Sequence, residues 1–514
     1  MGSKKVKLLL IYPDYLEEAN SPKNSGGSYA EGLASISAVV KAAGHEVSLM
    51  HLLYPHSKEE FIQKFKSYDC DIVGFSTRTT AFPDIKNMAV WLKEISNVFT
   101  FCGSYHVTLV PDEVIAAEGI DCACIGEGEY PVRELCDRFF DGDFYDIQSM
   151  YFKVNGEIIK NPVRPLLENL DELPFPDFDL FDYPTLEHAK LKTALVMLSR
   201  GCLFSCTYCG NSQFRQVYPN KRNYARFRSP ENAMNYLRTL LKKFPFIEFI
   251  NFRDAIFNMY DDWFYEFIEM YIKEIHLPFT CNLRLDIMTE ETVIKLKEAG
   301  CYMIDVGVET GNDELRKKYL KRMMNNEQMK NAFAWFHKHN ITSMTYNILG
   351  LPHEDLKLAL STIKLNVELN PDRVIPNIFY PYPMTVLCEI AKEAGFVPDV
   401  IPPGTRVPLK QKQFPEHEVL FAANFFMTFI KLYKGARKLP KWLGVPLEKM
   451  YDGIFVGKLT PRKLLNALHD FNENLTQGLK RFLINKMPKL YLALRKGRVN
   501  RRMKKTEKAN KKAA

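Results

Sequence analysis

Residues 200–211 read RGCLFSCTYCGN and hold Cys202, Cys206 and Cys209, spaced C-x3-C-x2-C. The segment directly follows TALVMLS, an apolar stretch typical of a buried strand. A structural zinc site needs four ligands and usually pairs two C-x2-C units, but this loop has no second pair and no His. Three cysteines on a [4Fe-4S] cluster leave one iron open to a further ligand. The spacing therefore predicts a catalytic iron–sulfur site on a loop that follows a strand.

Five more strand patterns follow the cysteine loop, and a helix-like segment comes after each of them. They read FIEFINFRD, FTCNLRLD, YMIDVGVETG, ITSMTYNILGLP and RVIPNIFYPYP. With the strand before the loop, they predict an α/β domain over residues 191–395, a partial (β/α)6 barrel. Functional groups of such barrels lie at the carboxyl ends of the strands.

Residues 1–140 also alternate strand and helix patterns, which predicts a second α/β domain with a doubly wound, Rossmann-like sheet. Ligands of such sheets bind at the carboxyl ends of the strands. Residues 141–190 are rich in Pro and Asp and are interpreted as a linker. Beyond the barrel, we expect a helical region over 396–494 and a basic disordered tail over 495–514.

The composition limits the classes of protein to which this chain can belong. The 514 residues are 46% hydrophobic and 25% charged, as in ordinary globular proteins. The net charge of +8 comes from the tail, where ten Lys or Arg accompany one Glu, so we expect no nucleic-acid partner for the folded body. Eleven scattered cysteines without a secretory signal predict a reducing cytoplasm. The sequence contains no run of 18 apolar residues, so it predicts no membrane-spanning helix.

The cysteine spacing, with Tyr208 before the last cysteine, resembles the motif of the radical S-adenosylmethionine (SAM) superfamily. The likeness covers residues 190 to about 390. It implies that Cys202, Cys206 and Cys209 are the catalytic residues and ligate a [4Fe-4S] cluster whose open iron binds SAM. Reductive cleavage of SAM then yields a 5′-deoxyadenosyl radical. The residues that the resemblance places near SAM are Tyr208, Asp254, Asn282, Arg284, Glu309 and Arg322.

Four segments near the N-terminus resemble the cobalamin-binding domain that precedes many radical SAM barrels. They read YAEGLASISAVVKAAGHEVSL, DIVGFS, CGSYHVTLVPDEV and CIGEGEYPVREL. Some cobalamin domains carry an Asp-x-His-x-x-Gly loop whose His ligates cobalt, but PDYLEEANSPKNSGG after the first strand has no His. The residues expected to contact cobalamin are Ser76, Thr77, Gly103, Ser104, His106, Gly126, Glu127, Gly128 and Glu129.

The combined resemblance implies cobalamin-dependent methylation of an unactivated carbon. One alternative is a cyclisation or oxidative rearrangement that uses the same cofactors without methyl transfer, and another is a non-catalytic cobalamin or iron–sulfur sensor. We expect a low-potential flavodoxin- or ferredoxin-type electron donor and a small-molecule substrate. Phe421, Phe425, Phe426 and Phe429 lie at helical spacing. They suggest either core packing or an apolar, lipid-like substrate. Together with the basic tail, they also suggest peripheral contact with the inner face of the membrane.

Overall fold

A computed structural model describes residues 4–16, 26–402, 404–487 and 490. Most of the loop after the first strand (17–25) and the predicted basic tail (495–514) lie outside the described residues. The chain divides into two compact units. The first contains residues 1–203 and 210–247, and the second contains residues 204–209 and 248–514.

The first unit contains a doubly wound sheet, as predicted. Its parallel strands pair in the order β2-β1-β3-β4-β5, so the connections reverse direction between β1 and β3. The core side chains include Leu9, Ile11, Val73 and Phe75. The strands are β1 (Lys7–Pro13), β2 (Glu46–Leu52), β3 (Ile72–Ser76), β4 (Phe99–Gly103) and β5 (Cys122–Cys124). The helices between and after them are α1 (Glu31–Ala42), α2 (Lys58–Phe65), α3 (Phe82–Ile95), α4 (Tyr105–Leu109), α5 (Pro111–Ala116) and α6 (Glu129–Arg138).

The predicted linker contributes two strands to this sheet. β6 (Met150–Val154) pairs antiparallel with β5, and β7 (Glu157–Lys160) pairs antiparallel with β6. Asn155 and Gly156 join them with positive φ angles of 49° and 85°. Asn-Gly is the preferred pair for such a tight hairpin turn, so a sequence signal for this hairpin was present. The linker prediction rested on the Pro- and Asp-rich composition of residues 141–190 and did not take this turn signal into account.

The rest of the first unit consists of short elements around the cysteine loop. A two-stranded antiparallel ladder joins β9 to β10 and pairs Arg200 with Arg226. The bounds are α7 (Glu187–Lys190), β8 (Thr193–Val196), β9 (Ser199–Arg200), α8 (Gly210–Val217), β10 (Arg226–Phe227) and α9 (Pro230–Lys243).

The second unit contains five described strands of the predicted barrel. They pair in sequence order, and every pair is parallel. The strands are β11 (Phe249–Phe252), β12 (Phe279–Leu283), β13 (Cys301–Glu309), β14 (Thr342–Leu349) and β15 (Arg373–Ile378). The helices are α10 (Asp261–Glu274), α11 (Glu290–Glu298), α12 (Asp313–Lys318), α13 (Asn326–Lys338), α14 (Leu356–Leu369) and α15 (Val386–Glu393).

Three helices complete the second unit: α16 (Glu416–Ala436), α17 (Lys441–Val456) and α18 (Arg462–Lys486). α17 lies within the predicted helical region, although Pro446 stands inside it. Phe421, Phe426 and Phe429 are buried in one core cluster with side chains of α14 and β15, and Phe425 packs against that cluster. This packing agrees with core packing, the first of the two readings that the sequence allowed for these phenylalanines.

Among the described helices, none combines the length and the apolarity that crossing a bilayer requires.

Candidate active site

The loop that carries Cys206 and Cys209 is anchored through its backbone within the second unit. The Thr207 amide donates to the Leu320 carbonyl at 3.3 Å, and the Leu387 amide donates to the Thr207 carbonyl at 3.0 Å. The Cys209 amide donates to the Cys206 carbonyl at 3.2 Å, which tightens the loop into a turn. Three hydrogen bonds thus hold residues 206–209 in place.

Two arginines converge on the sulfur of Cys206. Arg284 Nη1 lies 3.6 Å from Sγ, and Arg322 Nη1 lies 4.0 Å from it. Arg284 is itself held by Asp286, with contacts of 2.7 and 2.9 Å, and its guanidinium stacks 3.5 Å from the Phe204 ring centroid. Guanidinium groups give charge-assisted hydrogen bonds to the negative sulfur of a metal-bound cysteine. The surroundings of Cys206 therefore suit a cluster ligand.

Tyr208, Glu309 and Arg322 form a buried polar triad. The Tyr208 hydroxyl donates to Glu309 at 2.8 Å, and Arg322 donates to that hydroxyl at 3.2 Å and lies 3.5 Å from the carboxylate. Burial raises the pKa of Tyr208 well above its usual value, so the hydroxyl keeps its proton. Burial by itself lowers the pKa of Arg322, but Tyr208, Glu309 and Cys206 outweigh it and raise that pKa. Three residues that the sequence placed near SAM are thus in contact.

The backbone at Glu309 is shaped for this triad. Glu309 has a positive φ of 65°, which is unusual for a residue with a side chain and is often found at functional sites. A Cβ on Gly307 would stand 2.1 Å from Oε1 of Glu309. Glycine at 307 therefore provides the room for the carboxylate, a feature that the sequence prediction missed.

Asp254 and Asn282 form a second pair of predicted residues. The Asn282 amide donates to the Asp254 carbonyl at 2.9 Å, and the Asp254 side chain is 1% exposed. Both lie at the carboxyl ends of neighbouring strands, β11 and β12, as expected for a ligand-binding edge.

The other two cysteines of the motif are half-buried. Cys209 belongs to the second unit and Cys202 to the first. No three His, Cys, Asp or Glu side chains of the described residues gather tightly enough for a single metal ion. A four-iron cluster spaces its thiolates more widely than one ion does. The three-cysteine ligand set stays a prediction.

The residues expected to contact cobalamin gather at one edge of the first sheet. The Thr77 amide donates to the Gly103 carbonyl at 2.9 Å, and the Gly126 amide donates to the Thr108 hydroxyl at 3.0 Å. Ser76, Thr77, Gly103 and Ser104 thereby lie at the ends of β3 and β4, beside the turn at 126–129 that follows β5. This edge is the ligand-binding side of a doubly wound sheet.

His106 is the unusual residue of this edge. Its side chain is 4% exposed, and among the described residues neither ring nitrogen has a hydrogen-bond partner. Burial, assisted by Lys86, lowers the pKa of His106 to about 4, so the ring is neutral near pH 7. Because buried polar atoms normally find partners, two unpaired nitrogens suit contact with a bound ligand. Contact between His106 and cobalamin stays a prediction.

Glu127 and Glu129 have protein partners in the first unit. Arg226 donates two hydrogen bonds to the Glu127 carboxylate, at 2.6 and 3.2 Å. Arg200 lies 3.3 Å from Glu127 and also forms an ion pair with Glu129. The sequence prediction missed both arginines. The carboxylates thus join the turn after β5 to the β9–β10 ladder, a structural role beside the predicted cofactor contact.

A polar row on the second unit's sheet was also missed. Register places Asn282, Asp305, Met344 and Arg373 side by side on β12 to β15, and adjacent residues of parallel strands share a face. Oδ1 of Asp305 is buried, and among the described residues it has no hydrogen-bond partner. Burial raises the pKa of Asp305 to about 7, although Arg373 and Arg253 act against it. The acid Asp305 inside the otherwise apolar stretch YMIDVGV was the available signal.

Two domain families match the chain. The Radical SAM superfamily matches residues 196–365, and the B12 binding domain matches residues 28–136. An uncharacterised methyltransferase of Pyrococcus horikoshii is 29% identical over 399 residues, which is 76% of this chain and 83% of that protein. Anaerobic magnesium-protoporphyrin IX monomethyl ester cyclase of Rubrivivax gelatinosus is 24% identical over 74% of this chain and 69% of its own.

Solved structures share the fold. The radical SAM methyltransferase TsrM of Kitasatospora setae, with cobalamin and a [4Fe-4S] cluster bound, has a TM-score of 0.61. It is 15% identical, with 77% of this chain and 76% of that chain covered. The cobalamin-dependent SAM radical enzyme OxsB with aqua-cobalamin has a TM-score of 0.61 at 16% identity, covering 91% and 72%. These likenesses agree with the two-domain α/β architecture.

Proposed function

Since this chain belongs to the radical SAM enzymes that carry a B12-binding domain, we propose that it methylates an unactivated carbon of a small molecule. Such enzymes use SAM, a [4Fe-4S] cluster and cobalamin. The observation that carries the proposal is the convergence of Arg284 and Arg322 on Cys206, beside the Tyr208–Glu309 pair. It supplies donors for a cluster thiolate and a carboxylate for a cationic ligand in one place.

The bound cluster supplies the electron that cleaves SAM, and bound cobalamin carries the methyl group. Cys202, Cys206 and Cys209 would hold the cluster. Glu309 offers its carboxylate to the positive end of SAM, and Tyr208 and Arg322 fix its orientation. Asp254, Asn282 and Arg284 contribute the remaining contacts. The protein's share of catalysis is to align these groups and to exclude water.

Cobalamin binds at the carboxyl edge of the first sheet. Ser76, Thr77, Gly103, Ser104 and the turn at 126–129 shape the cradle. A Cβ on Gly103 would approach no atom nearer than 3.9 Å, so space remains there for a ligand. His106 is neutral and offers ring nitrogens to the cofactor.

The substrate faces the polar row around Asp305. Arg253 and Arg373 both act electrostatically on Asp305, and Asp305 in turn acts on Tyr346. Arg253 is exposed and Arg373 is half-buried, so both guanidinium groups are accessible to a ligand. Accessible guanidinium groups bind carboxylate or phosphate, so the proposed substrate carries an anionic group beside a hydrogen-bonding group.

The electron reaches the cluster from a flavodoxin- or ferredoxin-type protein of low potential. That chemistry needs a reducing compartment, so we place the enzyme in the cytoplasm.

A second candidate function is cyclisation without methyl transfer. The similarity to the magnesium-protoporphyrin cyclase favours it. The two functions differ in the fate of the SAM methyl group. Methylation converts one SAM to S-adenosylhomocysteine as the methyl donor and cleaves a second to methionine and 5′-deoxyadenosine, whereas cyclisation leaves every SAM methyl group in methionine.

The test is anaerobic reconstitution with iron, sulfide and hydroxocobalamin, followed by SAM and dithionite. We expect a cluster spectrum, retained cobalamin, 5′-deoxyadenosine and S-adenosylhomocysteine. Cys206→Ala should lose the cluster and 5′-deoxyadenosine while keeping cobalamin. Cys70→Ala, at a cysteine outside the motif, should behave as the wild type.

The outcomes separate the candidates. 5′-Deoxyadenosine without S-adenosylhomocysteine would favour cyclisation over methylation. A cluster without retained cobalamin would exclude the cobalamin mechanism. A preparation that forms neither cluster nor 5′-deoxyadenosine would contradict the radical SAM assignment.

A further inference from the structure

The last helix exposes an apolar stripe that no described part of the chain covers. Six large apolar side chains of α18 are each between 55% and 65% exposed, and they are Leu464, Leu468, Phe471, Leu475, Leu479 and Phe482. At 100° per residue, they fall within about 80° of the helix circumference. Single exposed apolar residues are common, but an ordered stripe of six marks an interaction surface.

Only the start of α18 is anchored to the protein body. Arg462 and Asn466 are buried, with Arg462 donating to the Phe455 carbonyl at 2.9 Å and Asn466 to the His417 carbonyl at 2.8 Å. From Phe471 to Lys486, every side chain that the structure describes is exposed except the half-buried Leu483. Packing against the protein core therefore does not explain why one face of the second half of this helix is apolar.

Basic residues accompany this stripe. Lys463, Lys480, Arg481 and Lys486 belong to α18, and the following residues 487–514 hold eleven Lys or Arg and one Glu. α17 adds exposed apolar side chains of its own, with Trp442 77% and Val445 50% exposed. An apolar helix face that is followed in the sequence by a long cationic segment matches a lipid surface, which has apolar acyl chains beneath anionic headgroups.

We propose that α18 lies on an anionic lipid bilayer, with its stripe among the acyl chains and the basic segment on the headgroups. A second copy of the chain would cover the stripe but would bring two cationic segments together. RNA would match the charge but would leave the stripe exposed. The lipid surface satisfies both features, and the proposal does not depend on the reaction catalysed.

Vesicle sedimentation of the full-length chain tests the proposal. We expect pelleting with vesicles of equal phosphatidylcholine and phosphatidylglycerol, and little with phosphatidylcholine alone. High salt should weaken it by screening the basic residues. The triple variant Leu468→Gln, Phe471→Gln, Leu475→Gln should lower partitioning about tenfold or more, because it removes three apolar side chains that would insert among the acyl chains.

A matched variant controls for the fold of the helix. Asn472→Gln, Asn474→Gln and Thr476→Gln change three exposed residues of α18 outside the stripe, and vesicle binding should persist. Both triple variants should keep their circular dichroism and their yield of 5′-deoxyadenosine. Wild-type protein that stays in the supernatant would overturn the proposal, as would pelleting that survives loss of the stripe. A different result would assign the surface to a second copy of the chain. In that case light scattering would show a wild-type dimer, only the stripe variant would be monomeric, and the protein would not bind vesicles.

Discussion

Single residues with unmet polar groups are the clearest marks of function in this chain. Asp305 buries Oδ1 and His106 buries both ring nitrogens, in each case without a hydrogen-bond partner among the described residues. Leaving such groups unpaired costs stability, roughly 1–3 kcal/mol each. If packing were the only requirement, an apolar residue at either position would give the folded protein greater stability.

Replacing Asp305 should therefore stabilise the protein at alkaline pH. Its folded pKa of about 7 lies above the ordinary 3.8, so the folded state holds a proton that the unfolded chain has released. Stability then falls as pH rises from about 4 to about 7, and the cost is complete above that range. Asp305→Asn removes the cost, and its gain over wild type should be about 2 kcal/mol larger near pH 8 than near pH 5.

Denaturant unfolding at the two pH values measures this difference. Asp399→Asn, at an exposed loop position, serves as the control and should show no such pH dependence. An equal effect of Asp305→Asn at both pH values would mean that this carboxyl titrates normally.

At the scale of elements, α16 is the packing centre of the C-terminal helices. Phe426 is fully buried in the cluster that joins α16 to α14, whereas Phe425 is only partly buried. Four phenylalanines at helical spacing indicate a buried face, but spacing alone does not say which neighbour covers it.

Phe426→Ala should cost about 3–5 kcal/mol of unfolding free energy, since it leaves a cavity in a fully buried cluster. Phe425→Ala, one position along the same helix, should cost less than half as much. Guanidinium unfolding followed by circular dichroism measures both. Equal losses would contradict the assignment of Phe426 to the core and Phe425 to its margin.

At the scale of the whole molecule, the proposed cofactor contacts fall in different units. The cobalamin edge belongs to the first unit, and the triad beside Cys206 belongs to the second. Each set depends on hydrogen bonds within its own unit. Loss of one cofactor should therefore leave the other bound.

His106→Leu should retain at least tenfold less cobalamin after gel filtration, because the neutral ring no longer contacts the cofactor. The variant should still assemble the cluster and form 5′-deoxyadenosine from SAM. Its thermal stability should not fall, since leucine leaves no unpaired nitrogen behind. Unchanged cobalamin retention would show that His106 has no part in the site.

Local patterns were sufficient for the strand series, the two α/β sheets and the order of elements. Runs of apolar residues and turn signals act over a few residues, so they can be recognised without knowing the fold. The cysteine spacing was likewise a local signal, and the family resemblance based on it placed the arginines and acids near SAM. The composition misled the prediction at the β6–β7 hairpin, which lies in the presumed linker.

Only tertiary structure brought distant residues together. Arg284 is 78 positions from Cys206, and Tyr208 is 101 positions from Glu309, so no local pattern could pair them. Folding also converted the α16 phenylalanines into core and left the α18 stripe exposed, although both helices are apolar along one face. The physical reason is that a side chain's periodicity sets the face it lies on, while burial depends on what the rest of the chain places against that face.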